Sequence, residues 1–274
     1  MTSTFHIFDE FQGLVETLSD SDRHKKRIEL EKLIYSTLKS KYSAALKKAW
    51  ETWNPSTGSN KKIVLIERRI HENLEFLLHN SAWAGQEGEW NIAIVCSDLN
   101  LPYIQAIVGK KNIQLLPIFK GNPPPQQAKE EYNKLLQSSE FFEMFQEEYL
   151  CLVEMDCYFR KQIPDSVITC DYIAAPYAWN KKEAGGGLSF RRKSVMLEIC
   201  KEFPVKLPAQ DIYASNGMNI LGYSMPPVLY SKDIVAESIL DADPIGVHQW
   251  WTFFSPQLDD SEVIFQRLMS IELT

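Results

Sequence analysis

Two carboxylates, Glu154 and Asp156, interrupt the run LCLVEMDCYF (150–159), where apolar residues lead into the acids and resume directly after them. Two apart in an extended chain, they point the same way, so both oxygens could reach one cation. Hard oxygen donors with few other protein ligands suit Mg²⁺ or Mn²⁺ shared with substrate phosphates. Taken alone, the pair serves equally well as a polar strand end whose acids cap a neighbouring helix. A second candidate is Gly185-Gly186-Gly187, read as a glycine loop that lets backbone approach a ligand. Ser189 and Arg191 follow on alternate positions, a hydroxyl and a cation on one face of the ensuing strand. The run is not GxGxxG and lacks a P-loop Lys-Ser/Thr, which argues against a nicotinamide cofactor or an NTPase.

Three further groups could do chemistry. Asp211, in a loop after a helix, is a candidate general base or a helix-capping acid. His248, the sole histidine of the second half, is a candidate ligand or a satisfied core residue. Glu67, Arg68 and Arg69 close the first strand, where an arginine pairs with phosphate or forms an internal salt bridge.

The elements that must position these residues are short apolar runs alternating with helical segments. KKIVLIE (61–67), NIAIVC (91–96), IQLLPI (113–118) and YLCLVEMD (149–156) read as strands. YNKLLQSSEFFEMFQEE (132–148) reads as a helix and GNPPPQQ (121–127) as a loop. The alternation predicts an α/β fold, a mixed and mainly parallel sheet flanked by helices. In such sheets ligands bind beyond the carboxyl ends of the strands, where Glu154 and Asp156 lie. The second half is less regular: DYIAAPYAW (171–179) begins as a strand and KSVMLEICKEF (193–203) is a helix stopped before Pro204.

Ahead of the sheet, Leu30, Ile34, Leu38, Tyr42, Leu46, Trp50 and Trp53 recur at a helical period, with Asp20, Ser21 or Asp22 as possible caps. Residues 1–60 therefore form an N-terminal helical extension, and 61–274 a single domain with halves 61–160 and 161–274. The extension packs on the main domain or, through its lysine-rich face, docks on a partner or membrane surface.

Composition narrows the function classes. A chain of 274 residues, 45% hydrophobic, can bury a large core, and its net charge of -7 argues against a nucleic-acid-binding surface. Five cysteines without a CxxC pair fit reduced core thiols rather than a zinc site. No apolar run is long enough to span a bilayer, and MTSTFHIFDEFQ has no signal-peptide pattern, so the expectation is a cytoplasmic protein.

The order of these pieces is more specific than any one of them. VLIERRIHENLEFLLHN, YNKLLQSSEFFEMF, YLCLVEMDCYF, DYIAAPYAW, GGGLSFRR, QDIY and GVHQWW resemble, over residues 62–251, a glycosyltransferase-like family of bacterial and viral genomes with the A-type (GT-A) fold. The resemblance implies that Glu154 and Asp156 are a DxD-type metal motif for Mn²⁺ or Mg²⁺, completed by His248. It makes Gly186, Gly187, Ser189 and Arg191 donor-side residues, with Glu67 and Arg69 at the nucleotide end. Asp211 becomes the base that deprotonates the acceptor hydroxyl, with inversion at the anomeric carbon. The implied partners are a nucleotide-sugar donor, a UDP-sugar by default, and a glycan or other hydroxyl acceptor. Tyr177, Trp179, Trp250 and Trp251 are candidate sugar-stacking faces or core residues.

The chain departs from the pattern at Glu154, where the family has Gln or Asp. It departs again at Gln210, where the family has Glu, and at Gly185, where it has Asn. The alternatives are a non-catalytic sugar- or nucleotide-binding module on the same fold, or a sugar nucleotidyltransferase. The latter needs a glycine- and basic-rich loop where this chain has ERRIHEN.

Overall fold

In the computed structural model, residues 20–180, 182–203, 207–254 and 259–273 are described, without the side chains of 20–24. The stretch MTSTFHIFDEFQ, the capping side chains of Asp20, Ser21 and Asp22, and Pro204 lie outside the described residues.

Helix α1 (Asp20–Thr52) precedes β1 (Lys61–Ile66), α2 (Leu74–Ala84), β2 (Asn91–Ser97), α3 (Leu101–Val108) and β3 (Gln114–Phe119). Then come α4 (Pro125–Leu135), α5 (Ser139–Glu143), β4 (Tyr149–Val153) and β5 (Cys157–Phe159). The remainder holds β6 (Tyr172–Pro176), β7 (Ala184–Arg192), α6 (Lys193–Glu202), α7 (Gln210–Leu221), α8 (Val228–Ile234), β8 (Val235–Ala236), β9 (Gly246–His248) and α9 (Ser261–Leu268).

Six strands form one sheet in the order β3-β2-β1-β4-β7-β6, with β1 to β4 parallel and β7 antiparallel to both of its neighbours. The expected mixed, mainly parallel α/β sheet with an N-terminal helix is what the chain forms. Both faces are covered, which is why the strands read as unbroken apolar runs. Ile63 and Leu65 join a core with α1, α2 and α3, while Val64 and Ile66 join a second core under α4 to α7. From β1 the chain moves outward through β2 to β3, then returns to β4 on the other side of β1. That reversal makes a crevice at the carboxyl ends of β1 and β4, the place where open α/β sheets bind ligands.

Helix α1 is part of the first core: Ile34, Leu38 and Leu46 are fully buried, and Tyr35 Oη donates to the Cys157 carbonyl at 2.6 Å. A three-stranded sheet, β5-β9-β8, sits under it and pairs Cys157 with His248. Asn80 on α2 binds both the N–H (2.7 Å) and the carbonyl (2.9 Å) of Phe159, fixing β5 from the other side.

Four expectations need correction. The strand of 149–156 ends at Val153, so Glu154-Met155-Asp156 form a turn between β4 and β5. The segment 132–148 is two helices, because Ser138 caps α5 by accepting from the Phe141 N–H. GNPPPQQ is a loop only up to Pro124, since Pro125 starts α4, where a missing N–H costs nothing. The glycine run is not a loop: it lies inside the buried strand β7.

Burial also makes the fold acid-sensitive at one identifiable site. His79 on α2 is buried and stacked on Trp50, with ring centroids 5.5 Å apart. Burial, helped by the Lys47 charge, lowers its pKa from 6.5 to about 4. The unfolded chain therefore binds a proton that the folded chain excludes, so stability is full above pH 6.5 and declines as pH falls toward 4. The expected loss is roughly 2 kcal/mol, discounted for solvent screening. Melting curves from pH 7 to 4 should show it, and His79→Gln should shallow the decline.

Candidate active site

The crevice at the switch point is a cleft of about 660 Å³. The segment after β1 delivers Glu67 and Arg69, the β4–β5 turn delivers Glu154 and Asp156, α4 delivers Tyr132, and α1 adds Ile28, Glu31 and Lys32. The structure thus brings Glu67, Arg69, Glu154 and Asp156 to one cavity and places His248 against Asp156.

At the β1 end the buried Glu67 carboxylate is wholly engaged by Arg69. Oε1 accepts from the backbone N (2.7 Å) and Nε (3.0 Å), and Oε2 from Nη2 (2.7 Å). Glu67 is the arm that aims Arg69, whose side chain is 60% exposed in the cleft. Arg68 instead pairs with Glu131 at 2.8 Å and stacks on Phe119, tying α4 to β3. Sequence reasoning missed the clamp behind them. Asn100 Nδ2 donates to the carbonyls of Glu67 (2.9 Å) and Arg69 (2.8 Å), and Ser97 Oγ donates to that of Arg68 (2.6 Å).

At the β4 end, Tyr132 Oη donates to Glu154 Oε1. Burial, then the Asp156 charge, raises the Glu154 pKa to about 7. His248 Nε2 lies 3.4 Å from Asp156 Oδ1, and its Nδ1 lies 3.3 Å from Glu237 Oε2. Burial works against the imidazolium, but Asp156 and Glu237 outweigh it and hold the His248 pKa well above its ordinary value. Burial likewise pushes Asp156 upward, yet His248 leaves it lowered on balance. Glu237, at the end of β8, carried no sequence signal, because an acid after a two-residue strand looks like any surface residue.

β7 explains the glycines. The Glu154 N–H donates to the Gly187 carbonyl at 2.9 Å, so the glycines lie directly behind the acids. A Cβ on Gly187 would come within 2.3 Å of His248 Nε2, and one on Gly186 within 2.0 Å of Gln210 Nε2. Only glycine permits that approach. The glycines seat the site's side chains rather than forming a ligand loop. Ser189 and Arg191 are buried behind the cleft: Arg191 Nε donates to Ser189 Oγ at 3.0 Å and Nη2 to Gln210 Oε1 at 2.5 Å.

Gln210 and Asp211 are not in a loop but in the first turn of α7, where an acid also favours the helix dipole. Asp211 Oδ2 accepts from Tyr177 Oη at 2.5 Å, and Oδ1 from the Ile212 N–H at 2.8 Å. Its charge reaches Glu154, helping to raise that group's pKa. Tyr177 stacks on Trp179 at 4.7 Å, and Trp179 is 64% exposed. Trp250 and Trp251 cannot stack on a sugar, because both are buried; Trp250 Nε1 donates to Tyr158 Oη at 2.7 Å.

The donor set fits a divalent cation. Asp156, Cys157 and His248 each offer one ligand atom, all within 4.8 Å of one another. Buried His248 Nδ1 and Glu237 Oε2 have no other hydrogen-bond partner than the close approach between them. A carboxylate on Nδ1 of a metal-binding histidine orients Nε2 toward the ion. Because Gly187 fixes where that ring sits, Gly187→Ala should displace it. Metal titration should then read an affinity about ten- to hundred-fold weaker.

A family model described as "Protein of unknown function (DUF5672)" matches residues 122–248. The matched span runs from the start of the α4 region to His248 and leaves out α1 and β1 to β3. No curated protein matches the sequence. Among solved structures, a mannosyltransferase (PcManGT) from Pyrobaculum calidifontis, in complex with GDP-Man and Mn²⁺, is 13% identical with a TM-score of 0.42. The match covers 72% of this chain and 66% of that one, slightly under two thirds of its length. Among the described residues, no helix is long and apolar enough to cross a membrane.

Proposed function

We propose that the chain is a metal-dependent glycosyltransferase that moves a sugar from a nucleotide-sugar donor to a hydroxyl of a glycan or other acceptor. The observation that carries the reading is the convergence of Asp156, His248 and Glu154 beside a cleft at the topological switch point. A divalent ion held by Asp156 and His248, with Glu154 beside them, would neutralise charge developing on a leaving diphosphate.

The chain's own residues supply the rest. Arg69, aimed by Glu67, faces the nucleotide end of the donor as a cation for phosphate. Asp211 accepts the proton of the acceptor hydroxyl as its oxygen bonds to the anomeric carbon. The bond from that carbon to the diphosphate oxygen breaks, its electron pair leaves with the nucleotide, and the anomeric centre inverts. Tyr177 holds the Asp211 carboxylate in place, and Trp179 offers an exposed ring face on the acceptor side. A UDP-sugar is the first donor to test.

Incubation with UDP-, GDP- and dTDP-sugars and Mn²⁺ tests the reading. Slow donor hydrolysis, or transfer to added sugars, is the expected result. Binding of donors with no turnover under any condition would point instead to a non-catalytic module.

A further inference from the structure

Cys157 stands out because its sequence neighbours and spacing assign it to the core, whereas the fold places it beside two metal donors. It is fully buried, and its strand pairs it directly with His248. Its Sγ lies 4.0 Å from Asp156 Oδ1, while Asp156 Oδ1 and His248 Nε2 are 3.4 Å apart. Metal–nitrogen and metal–oxygen bonds near 2.0 Å and a metal–sulfur bond near 2.3 Å give tetrahedral ligand–ligand separations of about 3.3–3.6 Å. The oxygen–nitrogen pair already has that separation, the sulfur is about half an ångström too far from the oxygen, and all three ligand atoms lie within 4.8 Å of one another. The main chain at Cys157 is held by Tyr35 from α1 and by its pairing with β9, so only the side chain has to adjust for the sulfur to approach the other two donors.

We infer that Cys157 is a third protein ligand of the ion, so that the site favours a borderline cation such as Zn²⁺ or Co²⁺ over Mg²⁺. The inference rests on the metal-dependent reading of Asp156 and His248. A thiolate is a soft donor that Mg²⁺ does not compete for, whereas imidazole and carboxylate accept either kind of ion. On binding, the thiol proton leaves to solvent and the sulfur lone pair bonds to the cation. Asp156 is the most exposed of the three, its side chain 29% accessible, so the side facing the cleft stays open for substrate oxygens. Three protein donors and one open position is the arrangement of catalytic rather than structural sites.

Titration of the full chain with Co²⁺, followed by absorption, tests this. The wild type should give both the visible cobalt bands and an intense near-ultraviolet sulfur-to-cobalt band. Cys157→Ser and Cys157→Ala should each abolish the near-ultraviolet band and weaken Co²⁺ and Zn²⁺ binding by about ten- to hundred-fold, with Mg²⁺ affinity little changed. Using both variants, with melting curves, separates loss of a ligand from loss of the fold. Persistence of the band in both variants, from another cysteine, overturns the inference. Visible bands without a near-ultraviolet band in the wild type, abolished by His248→Ala, overturn the cysteine ligand and leave the Asp156–His248 site standing. An absence of cobalt absorption in the wild type overturns both.

Discussion

Asp156→Ala should abolish donor turnover, by about 10³-fold or more, and remove any metal dependence of nucleotide binding. Asp156 is the carboxylate nearest His248 and the one whose ionised form the site favours on balance. Glu154 cannot replace it: burial, the larger cause of its raised pKa, still disfavours its ionised form once the Asp156 charge is gone, and Oε1 already accepts a hydrogen bond from Tyr132. The fold should survive, because Glu237 still faces His248 and Glu154 is relieved of a like charge. Turnover and circular dichroism on the same sample check both halves. Full activity in a folded variant would remove the metal role from this residue.

Asp211→Asn has a different expected signature. The amide is nearly isosteric, and its carbonyl can still accept from Tyr177 or the Ile212 N–H, so the first turn of α7 keeps its geometry. What it cannot do is take a proton. Transfer to a hydroxyl acceptor should fall by about 10²–10⁴-fold, while nucleotide binding stays within about twofold of wild type. Stopped transfer assays beside calorimetric titration of the nucleotide separate the two effects. Persistent transfer would call for another base or for a retaining route.

Much of the framework was legible because burial on both faces writes itself into composition. KKIVLI, NIAIVCS and YLCLV are strands covered on two sides, and α1 shows its buried stripe as a helical period. Placing Glu154 and Asp156 at a strand end followed directly from that pattern. A glycine run looks the same in sequence whether it makes a loop or, as here, a floor for other side chains. The role of these glycines depends on His248, Gln210 and Glu237, which approach β7 from elements distant in sequence. Helix α7 looks like a loop in the sequence because QDIYASNG has no clear apolar stripe, and its N-cap residue, Ala209, gives no capping signal. Ser97 and Asn100 act on backbone carbonyls across a strand connection, a relation that no local spacing encodes.

On the proposed function, the cleft binds a nucleoside diphosphate through a cation held at Asp156. Calorimetric titration of UDP and GDP into wild type and Asp156→Ala, with and without Mn²⁺, tests it most directly. The expected result is binding of at least one nucleotide that requires Mn²⁺ and is lost in the variant. Equal binding with and without metal, or equal binding by the variant, would contradict it.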